Sequence, residues 1–173
     1  MNLTRRSFGS SLALAGGAAL AGAGAQASAN RPSAAAMREI FHRYIEQFNS
    51  GQPERLVAFF APNVVLHLPG RELIGPEAIT AHYRRSFGFL TEWLRLDALI
   101  VDEGGLAAEL YTRFSAHRDY PDFKVTPLRA GDVYVVTTFV FYEFNNEGRF
   151  TLIRPAMWQR DTSGVRAPEV RVQ

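Results

Sequence analysis

The sequence predicts an α+β fold in which three N-terminal helices are followed by a meander of long strands. The helical spacing of apolar residues dominates positions 33–90, whereas the alternation typical of strands dominates positions 94–158. Helices that come first and strands that come later are typical of an α+β domain with a largely antiparallel sheet. The 13 Phe and six Tyr residues further suggest a curved sheet that folds over the helices around an apolar pocket.

Each predicted helix has a start signal and one apolar face. Ser33 can cap the first helix, which ends at Asn49-Ser50-Gly51. A short helix begins at Pro53, and a third begins at Gly75-Pro76-Glu77. The apolar face of the first helix consists of Met37, Ile40, Phe41, Tyr44, Ile45 and Phe48, and that of the third of Ile79, Tyr83, Phe87 and Leu90.

Five strands are predicted from period-two patterns and turn residues. A loop with two prolines, 119–131, separates the two longest strands, and Asn145-Asn146-Glu147-Gly148 forms a hairpin turn. The predicted strands are 64–68, 94–101, 106–116, 132–144 and 149–158.

Residues 1–29 are predicted to be a twin-arginine signal peptide. Thr4-Arg5-Arg6-Ser7-Phe8 precedes an apolar stretch from about residue 11 to 25, and small-x-small cleavage sites end at Ala27 and Ala29. The twin-arginine translocase is therefore an expected partner during export, and the mature protein is expected to be periplasmic or secreted. Residues 30–160 form the predicted domain, and residues 161–173 a loose C-terminal tail.

Charge and cysteine content exclude several classes of function. Without Arg5 and Arg6 the chain keeps 17 basic and 17 acidic residues and has no basic run, so nucleic acid is not an expected partner. The sequence contains no Cys, which excludes zinc–thiolate and Cys-nucleophile chemistry. We expect neither a cofactor nor a metal site.

Several helix faces and turns together resemble the nuclear transport factor 2-like superfamily, and within it the SnoaL-like polyketide cyclase group. The resemblance covers roughly residues 36–159. It implies a cone-like, curved antiparallel or mixed sheet that wraps over three helices, a pocket inside the cone, and a homodimer. The stretches that carry it are 44–51, 56–61, 64–70, 75–79 with Tyr83, 141–144 and 148–149.

A homodimer is also expected from the strands themselves, because a strand that is apolar on both faces needs cover on both. The strand 132–144 is of this kind. Val133, Val135, Phe139 and Phe141 alternate with Val136, Val140 and Tyr142.

The acids of the family's ketosteroid isomerases are missing from the matching positions. Their base corresponds to Leu68 and their second acid falls near Val140, whereas their oxyanion-binding Tyr is matched by Tyr44. We therefore do not expect this chain to be a ketosteroid isomerase.

The Asp-Arg-Asp set of limonene-epoxide hydrolase is also incomplete. Arg113 matches its Arg, but Ser115 and Pro155 stand at the two Asp positions. His67 lies close to that enzyme's water-positioning Asn. We do not expect this chain to be that hydrolase either.

Two candidate catalytic residues follow from strand faces. His67 lies between Leu66 and Leu68, so if the leucines pack on the outer layer its imidazole points into the cone as an acid or base. Arg113 lies on a polar face of the predicted strand 106–116, which either faces solvent or lines the pocket. The matching Arg of the epoxide hydrolase points inward, so the resemblance implies the pocket, where the guanidinium could orient a ligand oxygen. The other members of that row are Tyr111, Ser115 and His117.

Two functions remain open from the sequence. The first is a cofactor-free lyase, isomerase, cyclase or hydrolase that acts on a small apolar carbonyl compound. The second is a module that binds a small apolar ligand, or pairs as a dimer, without turnover. Tyr44, Tyr83 and Phe87 complete the expected ligand-binding set alongside the polar row.

Overall fold

The structure is a computed structural model that describes residues 31–160. The predicted signal peptide and the predicted tail both lie outside the described residues. Helix α1 spans Ala34–Asn49, a 3-10 helix spans Pro53–Phe59, and α2 spans Pro76–Phe87. None of the helices within residues 31–160 has the length and apolar character that crossing a membrane requires.

The predicted apolar faces and caps of the helices are confirmed except at Leu90, which was expected on the third helix but lies beyond its end and begins a strand. The hydroxyl of Ser33 accepts a hydrogen bond from the backbone N–H of Ala36 at 3.2 Å, which satisfies one of the free donors at the start of α1. On α2, Ile79 and Tyr83 are buried. The buried face of α1 consists of Met37, Phe41, Tyr44, Ile45 and Phe48.

Six strands form one curved, unclosed sheet in the order β2-β1-β6-β5-β4-β3. Strands β1 and β6 are parallel, and the other neighbouring pairs are antiparallel. The predicted α+β class with a mixed, curved sheet is thereby confirmed. The strands are β1 Phe60–Leu68, β2 Arg71–Ile74, β3 Leu90–Val101, β4 Leu106–Ala116, β5 Val133–Phe144 and β6 Phe150–Arg160.

Strand boundaries differ from the prediction by four residues at two starts. Strand β1 begins four residues earlier than expected, because its pairing with β6 continues through a register shift between Phe60 and Val65. Pro62 lies within this irregularity and is exposed. Strand β3 begins at Leu90 rather than Leu94. Strand β2 was not predicted, since its four residues are mostly exposed and lack an apolar alternation.

The two faces of the sheet have different roles, and β4 shows which is which. The side that meets the helices carries Leu106, Ala108, Leu110, Thr112, Phe114 and Ala116, all of them buried. Alternate residues therefore point the opposite way, onto what we call the outer face.

Buried residues form two clusters on the helix side of the sheet. The larger lies between the helices and the sheet and contains Tyr44, Tyr83 and Tyr142. The smaller, which we call the loop cluster, lies where the 117–132 loop folds back. It consists of Leu90, Phe114, Ala116, Tyr120, Leu128, Tyr134 and Val136.

Candidate active site

His67 does not point into the cone. Leu66 is 1% exposed and belongs to the core, and Leu68 packs against it. The imidazole therefore lies on the other side of β1, where Nδ1 is 3.1 Å from Oε1 of Glu72 on the neighbouring strand. The prediction that these leucines pack on the outer layer is wrong, because the core takes them instead.

The polar row of β4 also faces away from the interior, so the prediction that it lines the pocket is wrong. Arg113 is exposed, and Tyr111 packs under the guanidinium of Arg95, 4.5 Å from its ring centre. Ser115 is partly buried, and His117 is exposed just after the strand ends. The alternate, apolar side of β4 covers the helices, which leaves this row outside.

His67 and Arg113 are also far apart. Strands β6 and β5 lie between β1 and β4, and three strand spacings amount to roughly 14 Å. The structure does not bring these two residues together.

The interior polar groups are instead three tyrosines from three different elements. Tyr44 of α1 is 1% exposed, Tyr142 of β5 is 2% exposed, and Tyr83 of α2 is 9% exposed. The hydroxyl of Tyr44 hydrogen-bonds with those of Tyr142 and Tyr83. Burial raises the pKa of all three hydroxyls, so each keeps its proton and remains available as a donor.

Glu92 is the acid that lies beside these tyrosines. Its side chain belongs to the row of β3 that faces the helices, between Leu90 and Leu94, and is partly buried. Loss of hydration raises the pKa of its carboxyl to about 8. Its negative charge in turn contributes to the raised pKa values of Tyr44, Tyr83 and Tyr142.

No cation neutralises Glu92 within the described part of the chain. The ion pairs between residues 31 and 160 involve other acids: Glu54, Glu72, Asp97, Asp122 and Glu147. A carboxyl that is desolvated and unpaired is costly to keep ionised, which makes such groups common at functional sites.

A pocket of about 90 Å³, partly open to solvent, lies against Glu92. It is lined by Gly51, Phe87, Leu90, Thr91 and Glu92. The ring of Phe87 packs against that of Tyr83 at 5.7 Å between centres, which connects the pocket to the tyrosines. A cavity of about 150 Å³ holds benzene, so this smaller, partly open pocket suits a small group or part of a ring that extends outward.

The pocket is held together by a contact between α1 and β3. The side-chain amide of Asn49 hydrogen-bonds with the backbone of Leu94 in both directions, at 2.7 and 2.8 Å. Gly51 then turns the chain away with a φ of 69°, a conformation that favours glycine. Glu92 is thereby fixed opposite the end of α1.

Sequence reasoning missed Glu92 because it placed the start of β3 at Leu94, which left Glu92 without a strand face. The signal was present, since Leu90, Glu92, Leu94 and Leu96 alternate as one row with a single acid among leucines. For metals, residues 31–160 contain no group of three or more acidic or His side chains with the geometry to hold an ion.

A family model described as a SnoaL-like domain matches residues 41–153. A similar solved structure is that of a proposed polyketide cyclase from Xanthomonas campestris pv. campestris. It is 22% identical, the match covers 69% of this chain and 87% of that one, and the TM-score is 0.61.

Two further structures share the fold at lower identity. One is SalBIII, an epoxide hydrolase/cyclase-like enzyme in pyran ring formation in the polyether salinomycin, with 13% identity, coverage of 70% and 90%, and a TM-score of 0.58. The other is an LEH-like epoxide hydrolase from M. tuberculosis, with 12% identity, coverage of 73% and 85%, and a TM-score of 0.60. No curated protein is detectably similar in sequence.

Proposed function

The chain belongs to the SnoaL-like domain family, and we propose that it is a cofactor-free enzyme that transfers protons on a small, apolar carbonyl compound. The observation that carries this proposal is the unpaired carboxyl of Glu92 at a pocket walled by Phe87 and Leu90. Structures of the same fold are described as a cyclase and as epoxide hydrolases. Fold alone does not fix a reaction, so the argument rests on the site.

In the proposed reaction Glu92 acts first as a base and then as an acid. Its carboxylate takes a proton from the carbon next to the carbonyl group, and the electrons of the broken C–H bond move onto the carbonyl oxygen. The protonated carboxyl then returns that proton to another atom of the substrate. The step is redox-neutral, so isomerisation or ring closure needs no oxidant or reductant.

The negative charge on the oxygen would be met by tyrosine hydroxyls. Tyr83 packs on Phe87, which lines the pocket, and Tyr44 hydrogen-bonds with both Tyr83 and Tyr142. Hydroxyls that stay protonated and are already oriented stabilise a developing oxyanion without reorganising. This assignment replaces Arg113, which lies on the outer face.

The experiment is proton exchange on a model ketone. Cyclohexanone in D₂O exchanges the protons next to its carbonyl group, and NMR follows the rate. The parent protein should accelerate this exchange, increasingly as pH rises through about 8 because the ionised fraction of Glu92 grows. Glu92→Gln should lower the acceleration by about 10²–10⁴-fold.

Glu39→Gln is the matched control, since Glu39 is exposed on α1 and its loss should leave exchange unchanged. Equal rates for the parent and Glu92→Gln would contradict the proposal.

A ligand-binding module without turnover is the second candidate function. The small volume of the pocket, about 90 Å³, favours it, because most of the interior is filled by aromatic side chains. This candidate predicts saturable binding of small ketones by the parent with no acceleration of proton exchange.

We also propose a homodimer whose interface is the outer face. Large apolar side chains are exposed there, with Trp158 at 73%, Phe139 at 42% and Trp93 at 40%, and such surfaces mark interaction sites. A second copy fits because β4 carries one acid and one base on this face, with Glu109 and Arg113 on either side of Tyr111. A two-fold axis near Tyr111 would place each Arg113 opposite Glu109 of the partner subunit.

A further inference from the structure

The backbone of β3 at Glu92 offers hydrogen-bonding groups that the proposed proton transfer does not use. Strand β3 lies at the edge of the sheet and pairs with β4 on one side only. In an antiparallel pair, alternate residues bond to the neighbouring strand, and the residues between them direct their N–H and C=O away from it. An edge strand therefore carries a row of open donors and acceptors.

The hydrogen bonds around β3 show which residues form that open row. The backbone of Leu94 donates to and accepts from the side-chain amide of Asn49, so its N–H and C=O point away from β4. Ala116 of β4, the partner of Leu90, makes both of its backbone bonds with the chain just before β5. Leu90 and Leu94 therefore both belong to the open row. Glu92 belongs to it too, because it lies midway between them in unbroken register.

The pocket lies along this edge, next to the Asn49 amide. Leu90, Thr91 and Glu92 are consecutive and their side chains alternate between the two faces, so a pocket that all three line touches the backbone between them. Gly51, which also lines the pocket, has no side chain, and a Cβ at its position would meet no atom within 4 Å. Within the described part of the chain, no group bonds to the N–H or C=O of Glu92.

Asn49 shows which chemical group fits such an edge. Its carboxamide places a carbonyl oxygen and an N–H on the same side, where they meet the N–H and C=O of one strand residue at once. Glu92 offers the same pair of groups two residues away, roughly 7 Å along the strand. Because Asn49 already occupies the edge at Leu94, the gap accommodates a single amide and not a strand of another chain.

We propose that the backbone of Glu92 binds a cis amide, the group found in lactams, cyclic imides and primary carboxamides. The ligand's carbonyl oxygen accepts from the N–H of Glu92, its own N–H donates to the C=O of Glu92, and its apolar part rests against Phe87 and Leu90. Ordinary peptide bonds are trans and hold the two groups on opposite sides, so they do not fit. The inference goes beyond the proposed function, because it requires neither turnover nor an ionised carboxyl.

The experiment compares δ-valerolactam with cyclohexanone, two six-membered rings of similar size of which only the lactam has an N–H. NMR titration of the isotope-labelled protein gives both affinities. The parent should bind the lactam about tenfold more tightly, since it makes two hydrogen bonds and the ketone one. The amide resonance of Glu92 should shift on binding, and that of Trp93, which is directed toward β4, should shift less. N-methyl-δ-valerolactam, which has no N–H, should lose the preference.

Glu92→Leu separates the backbone from the carboxyl. This variant keeps the backbone N–H and C=O at the same position, so it should lose proton exchange and still prefer δ-valerolactam to cyclohexanone. Loss of the preference would overturn the inference, because recognition would then belong to the carboxyl.

Equal affinity of the parent for the two rings, or no binding of either, would also overturn the inference. So would amide shifts confined to residues outside β3. The preference is measured by binding, whereas the role of Glu92 as a base is measured by proton exchange. Failure of one proposal is therefore distinguishable from failure of the other.

Discussion

The side-chain amide of Asn49 takes the place of a neighbouring strand for Leu94. Strand β3 is at the edge of the sheet, and its backbone at Leu94 donates to Oδ1 of Asn49 and accepts from Nδ2. This pair joins the last turn of α1 to the strand that carries Glu92, two residues away. It also satisfies two backbone groups at an edge that would otherwise be open to another chain.

Asn49→Ala should destabilise the domain by about 1–3 kcal/mol, because two partly buried backbone groups lose their partners. Urea unfolding measures this change. Asn49→Asp should have an intermediate effect, since a carboxylate still accepts from the N–H of Leu94 but cannot donate to its carbonyl oxygen. Asn146→Ala, in an exposed turn, is the control. Unchanged stability of Asn49→Ala would show that the contact does not hold β3.

The raised pKa of Glu92 predicts an unusual dependence of stability on pH. Unfolded Glu92 loses its proton near its ordinary pKa of 4.5, whereas the folded protein keeps it up to about 8. The folded state binds more protons than the unfolded state between these values, so the free energy of unfolding falls as the pH rises from 4.5 to 8. Above pH 8 the contribution of Glu92 does not change further.

Glu92→Gln should remove that loss. Each pKa unit corresponds to about 1.4 kcal/mol, so the free energy of unfolding of the variant should exceed that of the parent by on the order of 2–4 kcal/mol at pH 8.5. The two should be equally stable near pH 4. Thermal unfolding at both pH values, with Glu39→Gln as the control, tests this. A constant difference between parent and variant would mean that Glu92 titrates normally.

His82 predicts an opposite effect at lower pH. Burial, followed by the charges of Arg71 and Arg85, lowers the pKa of its imidazole to about 4. Arg71 lies 3.0 Å from Nδ1, which fits a neutral ring that accepts from the guanidinium. Since the unfolded chain binds this proton near 6.5, stability should fall as pH drops from 6.5 to 4.

His82→Gln should reduce this acid sensitivity by on the order of 2 kcal/mol, because glutamine has no proton to gain. His42→Gln, exposed on α1, is the matched control and should behave as the parent. If His82→Gln and the parent lose stability equally between pH 6.5 and 4, the imidazole is not held neutral.

The sequence predicted elements more reliably than directions. The helix faces were readable because apolar spacing repeats over several turns, as from Met37 to Phe48. Which way β4 faces was not readable, because both of its rows contain aromatic and polar residues and only packing against the helices decides between them. Arg113 was therefore assigned to the pocket, whereas Glu92 was missed for a separate reason, because β3 was expected to begin at Leu94.

Export is expected to depend on Arg5 and Arg6. Replacing both by Lys keeps the charge but removes the pair that the twin-arginine pattern requires. The precursor of this variant should stay in the cytoplasm, as cell fractionation would show, whereas Arg31→Lys as a control should be exported. N-terminal sequencing of the exported parent should begin at Ser28 or Asn30. Normal processing of the double variant would exclude the twin-arginine route.

Charge reversal on the outer face tests the homodimer and its symmetry together. Arg113→Glu should separate the subunits, because the new carboxylate would face Glu109 of the partner subunit. Adding Glu109→Arg in the same chain should restore the dimer, since the two-fold axis reverses both members of each pair at once. Light scattering at micromolar concentration gives the mass, and neither change should affect folding because Arg113 is exposed and Glu109 lies on the outer face, only partly buried. A monomeric parent would exclude the dimer, and a dimeric parent that the double variant fails to restore would exclude this register.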